Sequence, residues 1–103
     1  MLATLSFTRT IAGTSQKLAD CSFEQGDYYD IYHHLIRGKG LEEDKERTDK
    51  FCGFRVVSIW NGVIVIEKII PTPEGHELKV GDKVELDFEM YGIYTISLLE
   101  IKD

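Results

Sequence analysis

The residue pair Asn61-Gly62, in the middle of the segment FCGFRVVSIWNGVIVIEKII, most constrains how this chain can fold. The segment covers residues 51–70, and β-branched and aromatic side chains are frequent on both sides of the pair. Asn-Gly supplies the positive φ values that both central positions of a type I′ turn require, and such turns join antiparallel strands. The sequence therefore predicts a β-hairpin with a two-residue loop at Asn61-Gly62.

A two-residue loop determines which residues of the hairpin lie opposite each other. Trp60 faces Val63, and counting outward from the turn places Arg55 opposite Lys68, which is a repulsive pair. Because side chains alternate between the faces of a strand, each face can be read separately. One face holds Val57, Ile59, Ile64 and Ile66, and the other holds Phe54, Val56, Trp60, Val63, Val65 and Ile69. A hairpin that is apolar on both faces needs two covers, which a curled sheet, a helix or a second subunit can supply.

Length and composition are those of one globular domain, which we expect to cover residues 1–103. A chain of 103 residues can bury a single core without disulfides or metals. Hydrophobic residues make up 43% and charged residues 29%, a balance that excludes a disordered chain. The net charge of −6 argues against a broad electrostatic contact with nucleic acid, because phosphate contacts need clustered Lys and Arg. No apolar run is long enough to cross a bilayer, so we expect a cytoplasmic protein with no membrane contact.

Strands are predicted at both ends of the chain. Residues 2–11 alternate between apolar side chains and Thr or Ser, which is typical of a half-buried strand. Residues 16–24 fit a strand or a helix, and the short turn before them favours the strand. Residues 84–90 alternate cleanly, and the segment 93–101 is their predicted partner strand. A three-residue loop, Tyr91 to Ile93, sets Phe88 against Ile96. The neighbouring Leu98-Leu99 changes the apolar phase and predicts a β-bulge.

A change of period at Asp27 predicts the only α-helix, over residues 27–37. Apolar residues recur there at helical spacing, at Tyr28, Ile31, Tyr32, Leu35 and Ile36. Asp27 can cap the first turn, and Gly38 follows the last one. Residues 39–50 hold nine charges in twelve positions and predict a polar mobile loop. The fold class predicted is mainly β (α+β), a small antiparallel β-barrel or curled sheet of about six strands with one α-helix packed against it.

Three residues of the predicted helix form the candidate ligand-binding site. Tyr29, His33 and Arg37 are spaced four apart and therefore share one helix face. Tyr and His can stack on a base or sugar, and Arg supplies a cation for a phosphate. An exposed helix face of ordinary composition is the alternative interpretation of these residues.

Motifs for catalysis and for metal binding are weak in this sequence. Cys21 and Cys52 lie in no C-x-x-C arrangement, and no G-x-S-x-G motif flanks a serine. His33 and His34 are adjacent, whereas a helical zinc site uses histidines at i and i+4. We therefore predict no catalytic residue, no metal and no cofactor, and the sequence favours a non-enzymatic protein without excluding an enzyme. One strand face carries three carboxylates, which suit a solvated surface better than a cation site: Glu85, Asp87 and Glu89.

Two functional classes without catalysis and one with it remain open. The favoured one is a small non-enzymatic binding or inhibitory module that engages a protein partner or a small anionic ligand. It could also dimerise through the hairpin, with an interface at Val57, Ile59, Trp60 and Ile64. The alternatives are a nucleotide or single-stranded nucleic-acid binding barrel of OB or PUA-like shape, and a small enzyme with a His/Cys site.

Overall fold

The computed structural model describes residues 1–31, 35–37, 53–69 and 73–102. Within these ranges the chain forms β-strands, a short 3-10 turn at Glu89–Tyr91 and no α-helix. The strands are β1 (Leu2–Ile11), β2 (Thr14–Phe23), β3 (Tyr28–Asp30), β4 (Leu35–Arg37), β5 (Gly53–Trp60), β6 (Val63–Lys68), β7 (Glu74–Lys79), β8 (Lys83–Asp87) and β9 (Ile93–Lys102).

These strands form two antiparallel sheets that share one hydrophobic core. The first sheet has the order β2-β1-β9-β8, and the second has the order β4-β3-β5-β6-β7. Leu5, Phe7 and Ile96 of the first sheet belong to the same buried cluster as Phe54 and Ile64 of the second. The mainly β class predicted from the sequence is confirmed, but the closed barrel is not observed. The reason lies between β7 and β8, where the chain passes from one sheet to the other without pairing the two strands.

The α-helix predicted over residues 27–37 is wrong where the structure describes that stretch. Tyr28–Asp30 is the strand β3, which pairs with β4 on one side and β5 on the other. Tyr29 packs in the main core, whereas the adjacent Tyr28 packs beside Ile69 outside it. Side chains of adjacent residues in a strand point to opposite faces of the sheet. Two adjacent residues buried in different clusters therefore fit a strand. Asp27 accepts a hydrogen bond from the Glu24 backbone N–H at 2.8 Å and thereby stabilises a turn, not a helix start.

Residues 16–24 form a strand, as the sequence favoured. They lie almost entirely within β2, which pairs with β1. The predicted bulge at Leu98-Leu99 is also confirmed. Thr4 pairs with Glu100 and Leu5 with Leu98, which leaves Leu99 without a partner on β1. The predicted polar loop at 39–50 lies outside the described residues.

The loop between β8 and β9 is longer than predicted. Leu86 pairs with Tyr94 and Val84 with Ile96, so the predicted pairing of Phe88 with Ile96 is wrong. Phe88 leaves the ladder but stays buried, because the 3-10 turn folds it back over the core. The register error is an even number of residues, so Tyr94, Ile96 and Leu98 of β9 still face the core as expected.

Candidate functional site

The turn at the tip of the β5–β6 hairpin has the predicted geometry. Asn61 and Gly62 have φ values of 53° and 79°, as a type I′ turn requires. Trp60 pairs with Val63, and Ser58 pairs with Val65. The two-residue loop and the register next to it are therefore confirmed.

Farther from the turn, a bulge at Val57 changes the register. Val56 pairs with Ile66, whereas Ser58 pairs with Val65, so Val57 has no partner on β6. The shift places Arg55 opposite Glu67, and Arg55 Nε lies 3.3 Å from Glu67 Oε1. The predicted repulsive pair of Arg55 with Lys68 is therefore wrong. The bulge replaces it with an attractive pair, which lies on the partly exposed face of the sheet.

The same bulge separates the hairpin into one buried face and one open face. An extra residue shifts the alternation by one, so side chains on the two sides of the bulge reach the same face. The buried face consists of Phe54, Val56, Ile59, Ile64 and Ile66, and it packs on the first sheet. The open face carries Val57, Ser58, Trp60, Val63 and Val65, which are partly or largely exposed.

Trp60 is the most exposed large hydrophobic residue described in the structure. Its side chain is 74% exposed, although tryptophan is highly buried on average in folded proteins. It stands at the end of β5, immediately before the turn. The position is structurally defined, because Trp60 pairs with Val63 across the hairpin.

A shallow groove lies beside Trp60 on the open face. The groove has a volume of about 270 Å³ and is lined by Ser58, Trp60, Asn61, Val63, Val65 and Glu77. The strand order places its parts: Trp60 is on β5, the valines are on β6, and Glu77 is on β7 opposite Val65. The two outer strands are two strand spacings apart, or roughly 10 Å. Trp60 is in the row of Val63 and Glu77 is in the row of Val65, so the indole and the carboxylate lie diagonally on opposite sides of the groove, with an apolar floor between them.

Glu77 is the charged side chain that lines this groove, and it is exposed. It forms no ion pair with any residue in the described part of the chain. Lys79 pairs with Val63 one row nearer the turn but does not line the groove. The described lining of the groove therefore combines one carboxylate with an apolar surface, and Lys79 lies next to it on the same strand.

A second groove and a buried cation lie elsewhere. The other groove, of about 320 Å³, is lined by Met1, Glu24, Gln25 and Ile59, with no aromatic side chain among these lining residues. Lys68 lies at the inner end of β6, and its side chain is only 7% exposed. Its ammonium donates to the Asp87 carbonyl at 3.2 Å and lies 3.7 Å from the Glu74 carboxylate. Lys68 therefore links the second sheet to the end of β8 and has a structural explanation.

The structure places Tyr29 in the core. Its side chain is 3% exposed and its ring stacks on Phe7 with centroids 4.7 Å apart. Burial raises the pKa of Tyr29 far above its ordinary value of 10.0, with a smaller contribution from Tyr94. The grouping of Tyr29 with His33 and Arg37 depended on a helix that Tyr28–Asp30 does not form. The backbone of Arg37 pairs with Tyr28 in β4, and His33 lies outside the described residues.

The four residues predicted as an interface separate into two pairs. Val57 and Trp60 are on the open face, whereas Ile59 and Ile64 point into the core and are 5% and 0% exposed. A partner that approaches the hairpin would therefore meet Val57 and Trp60 first. The sequence missed Glu77, because the pairing of β7 with β6 has no local turn signal to predict it.

The other candidate chemical groups remain dispersed. Cys21 is partly buried in β2, where burial raises the pKa of its thiol. Glu85 and Asp87 are exposed on β8, and Asp87 accepts the Glu89 backbone N–H at 2.8 Å. Within residues 1–31, 35–37, 53–69 and 73–102, no three His, Cys, Asp or Glu side chains are arranged to hold a metal ion.

Comparisons of the chain with protein-family models, with curated proteins and with solved structures found no match. None of the described residues belongs to a helix with the length and apolar character needed to span a membrane.

Proposed function

We propose that this chain is a small non-enzymatic binding module that engages a polypeptide partner through the open face of the β5–β6 hairpin. The observation that carries the proposal is Trp60, 74% exposed at the rim of a groove whose floor is Val63 and Val65. Tryptophan is enriched among the residues that dominate protein–protein affinity. An exposed apolar patch with polar edges is typical of a docking surface.

The scaffold suits binding, because it holds this surface in one conformation. Strand β5 pairs with β6 along the hairpin, and its first residues, Gly53 to Arg55, also pair with β3. The buried side of the same hairpin is anchored by Ile59 and Ile64. A surface that is ordered before binding loses little conformational entropy when a partner docks.

The charge of the groove favours a polypeptide over a small anion or a nucleic acid. Glu77 would repel a phosphate or carboxylate ligand placed beside Trp60. Arg55, the arginine described on this face, is already engaged by Glu67. The net charge of −6 acts in the same direction.

Photo-cross-linking tests whether this surface meets a partner. Benzoylphenylalanine would replace Trp60 in one variant and Glu85, which is exposed on the other sheet, in a matched control. In extracts of cells that produce the chain natively, irradiation should join a partner polypeptide to position 60 and not to position 85. Equal labelling from both positions, or no labelling from position 60, contradicts the proposal. A product of twice the mass of the chain would identify a second copy as the partner.

A further inference from the structure

We infer that the partner inserts an arginine side chain into the groove between Trp60 and Glu77. The inference rests on the proposed function, since it identifies what that surface recognises. It is drawn from three parts of the groove that lie on three adjacent strands. Each part matches a different portion of an arginine side chain.

The first match is between the aliphatic stem of arginine and the floor of the groove. Val63 and Val65 are successive open-face residues of β6, and both line the groove. Long basic side chains commonly lay their methylene groups along apolar surface and keep the charged end in water. The groove is open to solvent along its length, which permits that arrangement.

The second match is between the guanidinium group and the two walls. Trp60 offers an exposed indole face, the aromatic surface with the strongest attraction for a cation. Glu77 offers a carboxylate that makes no ion pair with any described residue. A guanidinium group between them would stack on one wall and donate hydrogen bonds to the other.

Arginine fits these walls better than lysine does. The guanidinium group is planar, is weakly hydrated, stacks on aromatic rings and donates two parallel hydrogen bonds to one carboxylate. An ammonium group is a compact charge that remains strongly hydrated. Lys79 is the nearby like charge: it lies on β7 directly across Val63 from Trp60 and two residues after Glu77, but it is not among the residues that line the groove.

Selection of short random peptides on the immobilised chain tests the inference. Peptides would be retained only if they bind the wild-type chain and not Trp60→Ala, so that binding at other surfaces is removed. Arginine should be enriched at one position of the retained peptides. Replacing that arginine with citrulline, which keeps the shape and removes the charge, should weaken binding about tenfold.

Substitutions in the chain provide matched controls for the same peptides. Glu77→Gln should weaken binding by roughly two- to fivefold, the range expected for an exposed ion pair. Glu85→Gln, on the other sheet, should leave binding unchanged. Lys79→Gln should leave it unchanged or strengthen it slightly, because Lys79 repels a cation.

The possible results separate this inference from the proposed function. Trp60-dependent peptides that lack arginine, that contain lysine instead, or that ignore Glu77→Gln would overturn the arginine assignment and leave the binding surface intact. Weaker binding with Lys79→Gln would indicate an anionic ligand and would likewise overturn it. Failure to retain any Trp60-dependent peptide would count against the surface itself and against the inference with it.

Discussion

At Gly92, a single residue determines how β9 can begin. Its backbone has φ 98° and ψ −177°, a region that residues with a side chain rarely adopt. A Cβ at this position would lie 2.7 Å from the Thr10 carbonyl oxygen and 2.7 Å from Ile11 Cγ1. The hydrogen bond from the Phe88 N–H to the Gly92 carbonyl closes the loop at 3.0 Å.

We therefore predict that Gly92→Ala lowers the free energy of unfolding by about 3 kcal/mol or more, because backbone strain and steric overlap add. Gly81→Ala is the matched control. Gly81 also has a positive φ, of 94°, but the space around it is open, so only strain of about 1–2 kcal/mol is expected. Urea unfolding followed by circular dichroism measures both variants. Equal losses would show that the contact between Gly92 and β1 is not close.

Tyr29 makes the free energy of unfolding depend on pH in the alkaline range. Burial raises its pKa in the folded chain above the ordinary value of 10.0, so the unfolded chain ionises first as pH rises. Above pH 10 the folded state therefore binds more protons than the unfolded state, and the free energy of unfolding falls. Below that pH the contribution of Tyr29 is fully present.

We predict that the unfolding free energy of the wild-type chain falls between about pH 10 and 12, and that Tyr29→Phe makes this fall shallower by up to about 1.4 kcal/mol per pH unit. Urea titrations at a series of pH values measure the slope, and values at pH 7 correct for the change in packing. Parallel slopes for the two proteins would mean that Tyr29 titrates normally.

The turn between β5 and β6 and one of the β-bulges can be predicted from the sequence. Asn61-Gly62 predicts its turn because few residue pairs tolerate two positive φ values, and Leu98-Leu99 predicts its bulge because it interrupts a regular alternation. The bulge at Val57 carries no such signal. It lies in a segment that has apolar residues on both faces, where either register buries hydrophobic side chains.

At the scale of the element, the bulge at Val57 explains how a hairpin that is apolar on both faces can belong to a single folded chain. With a regular register, Phe54 and Val56 would lie on the face opposite Ile59. The bulge brings them to the same side, where all three are buried. The first sheet covers that side, and the open face is partly or largely exposed in the described part of the chain.

The structure predicts opposite outcomes for two aspartate substitutions in this hairpin. Ile64→Asp should cost more than about 4 kcal/mol and abolish folding, because it places a carboxylate at a fully buried position. Val57→Asp should cost about 1 kcal/mol or less, because Val57 is partly exposed on the open face. Circular dichroism in urea distinguishes them. Similar losses of stability would contradict the division of the hairpin into two faces.

The helix prediction failed because its evidence was the spacing of apolar residues. Apolar residues at i and i+3 or i+4 satisfy a helical period, but two short strands can produce the same spacing. The burial of Tyr28 and Tyr29 favours a strand over a helix, because both of these adjacent side chains are nearly inaccessible to solvent. That burial is known only from the structure. The sequence does not reveal their pairing with β5, because that strand begins more than twenty residues farther along the chain.

For the whole molecule, the sequence predicts the β-rich class and one apolar core but not the division into two sheets. The division depends on which strands pair at long range, and no turn signal specifies the pairing of β1 with β9 or of β3 with β5. The candidate site was predictable to the extent that it lies at the hairpin. Trp60 was identified from the sequence, whereas Glu77 depended on the position of β7.

Lys68 links the second sheet to the end of β8 in the first sheet. The loss of this link should lower the free energy of unfolding by a measurable amount. Lys68→Met leaves the Asp87 carbonyl without its ammonium donor, so we predict a loss of about 1–2 kcal/mol. Lys102→Met is the matched control. Lys102 pairs with Glu100 at 3.4 Å but is 69% exposed, so a loss below about 0.5 kcal/mol is expected. Equal effects in urea unfolding would exclude a linking role for Lys68.

Acrylamide quenching of tryptophan fluorescence reports on Trp60 alone, because Trp60 is the only tryptophan in the chain. The proposed binding surface requires this side chain to be open to solvent in the free protein and covered in a complex. The predicted quenching constant is close to that of N-acetyltryptophanamide, changes little on unfolding in urea, and falls when a peptide retained through Trp60 is added. A low constant in the dilute free protein that rises on unfolding would show that Trp60 is buried, and would contradict the proposed binding surface.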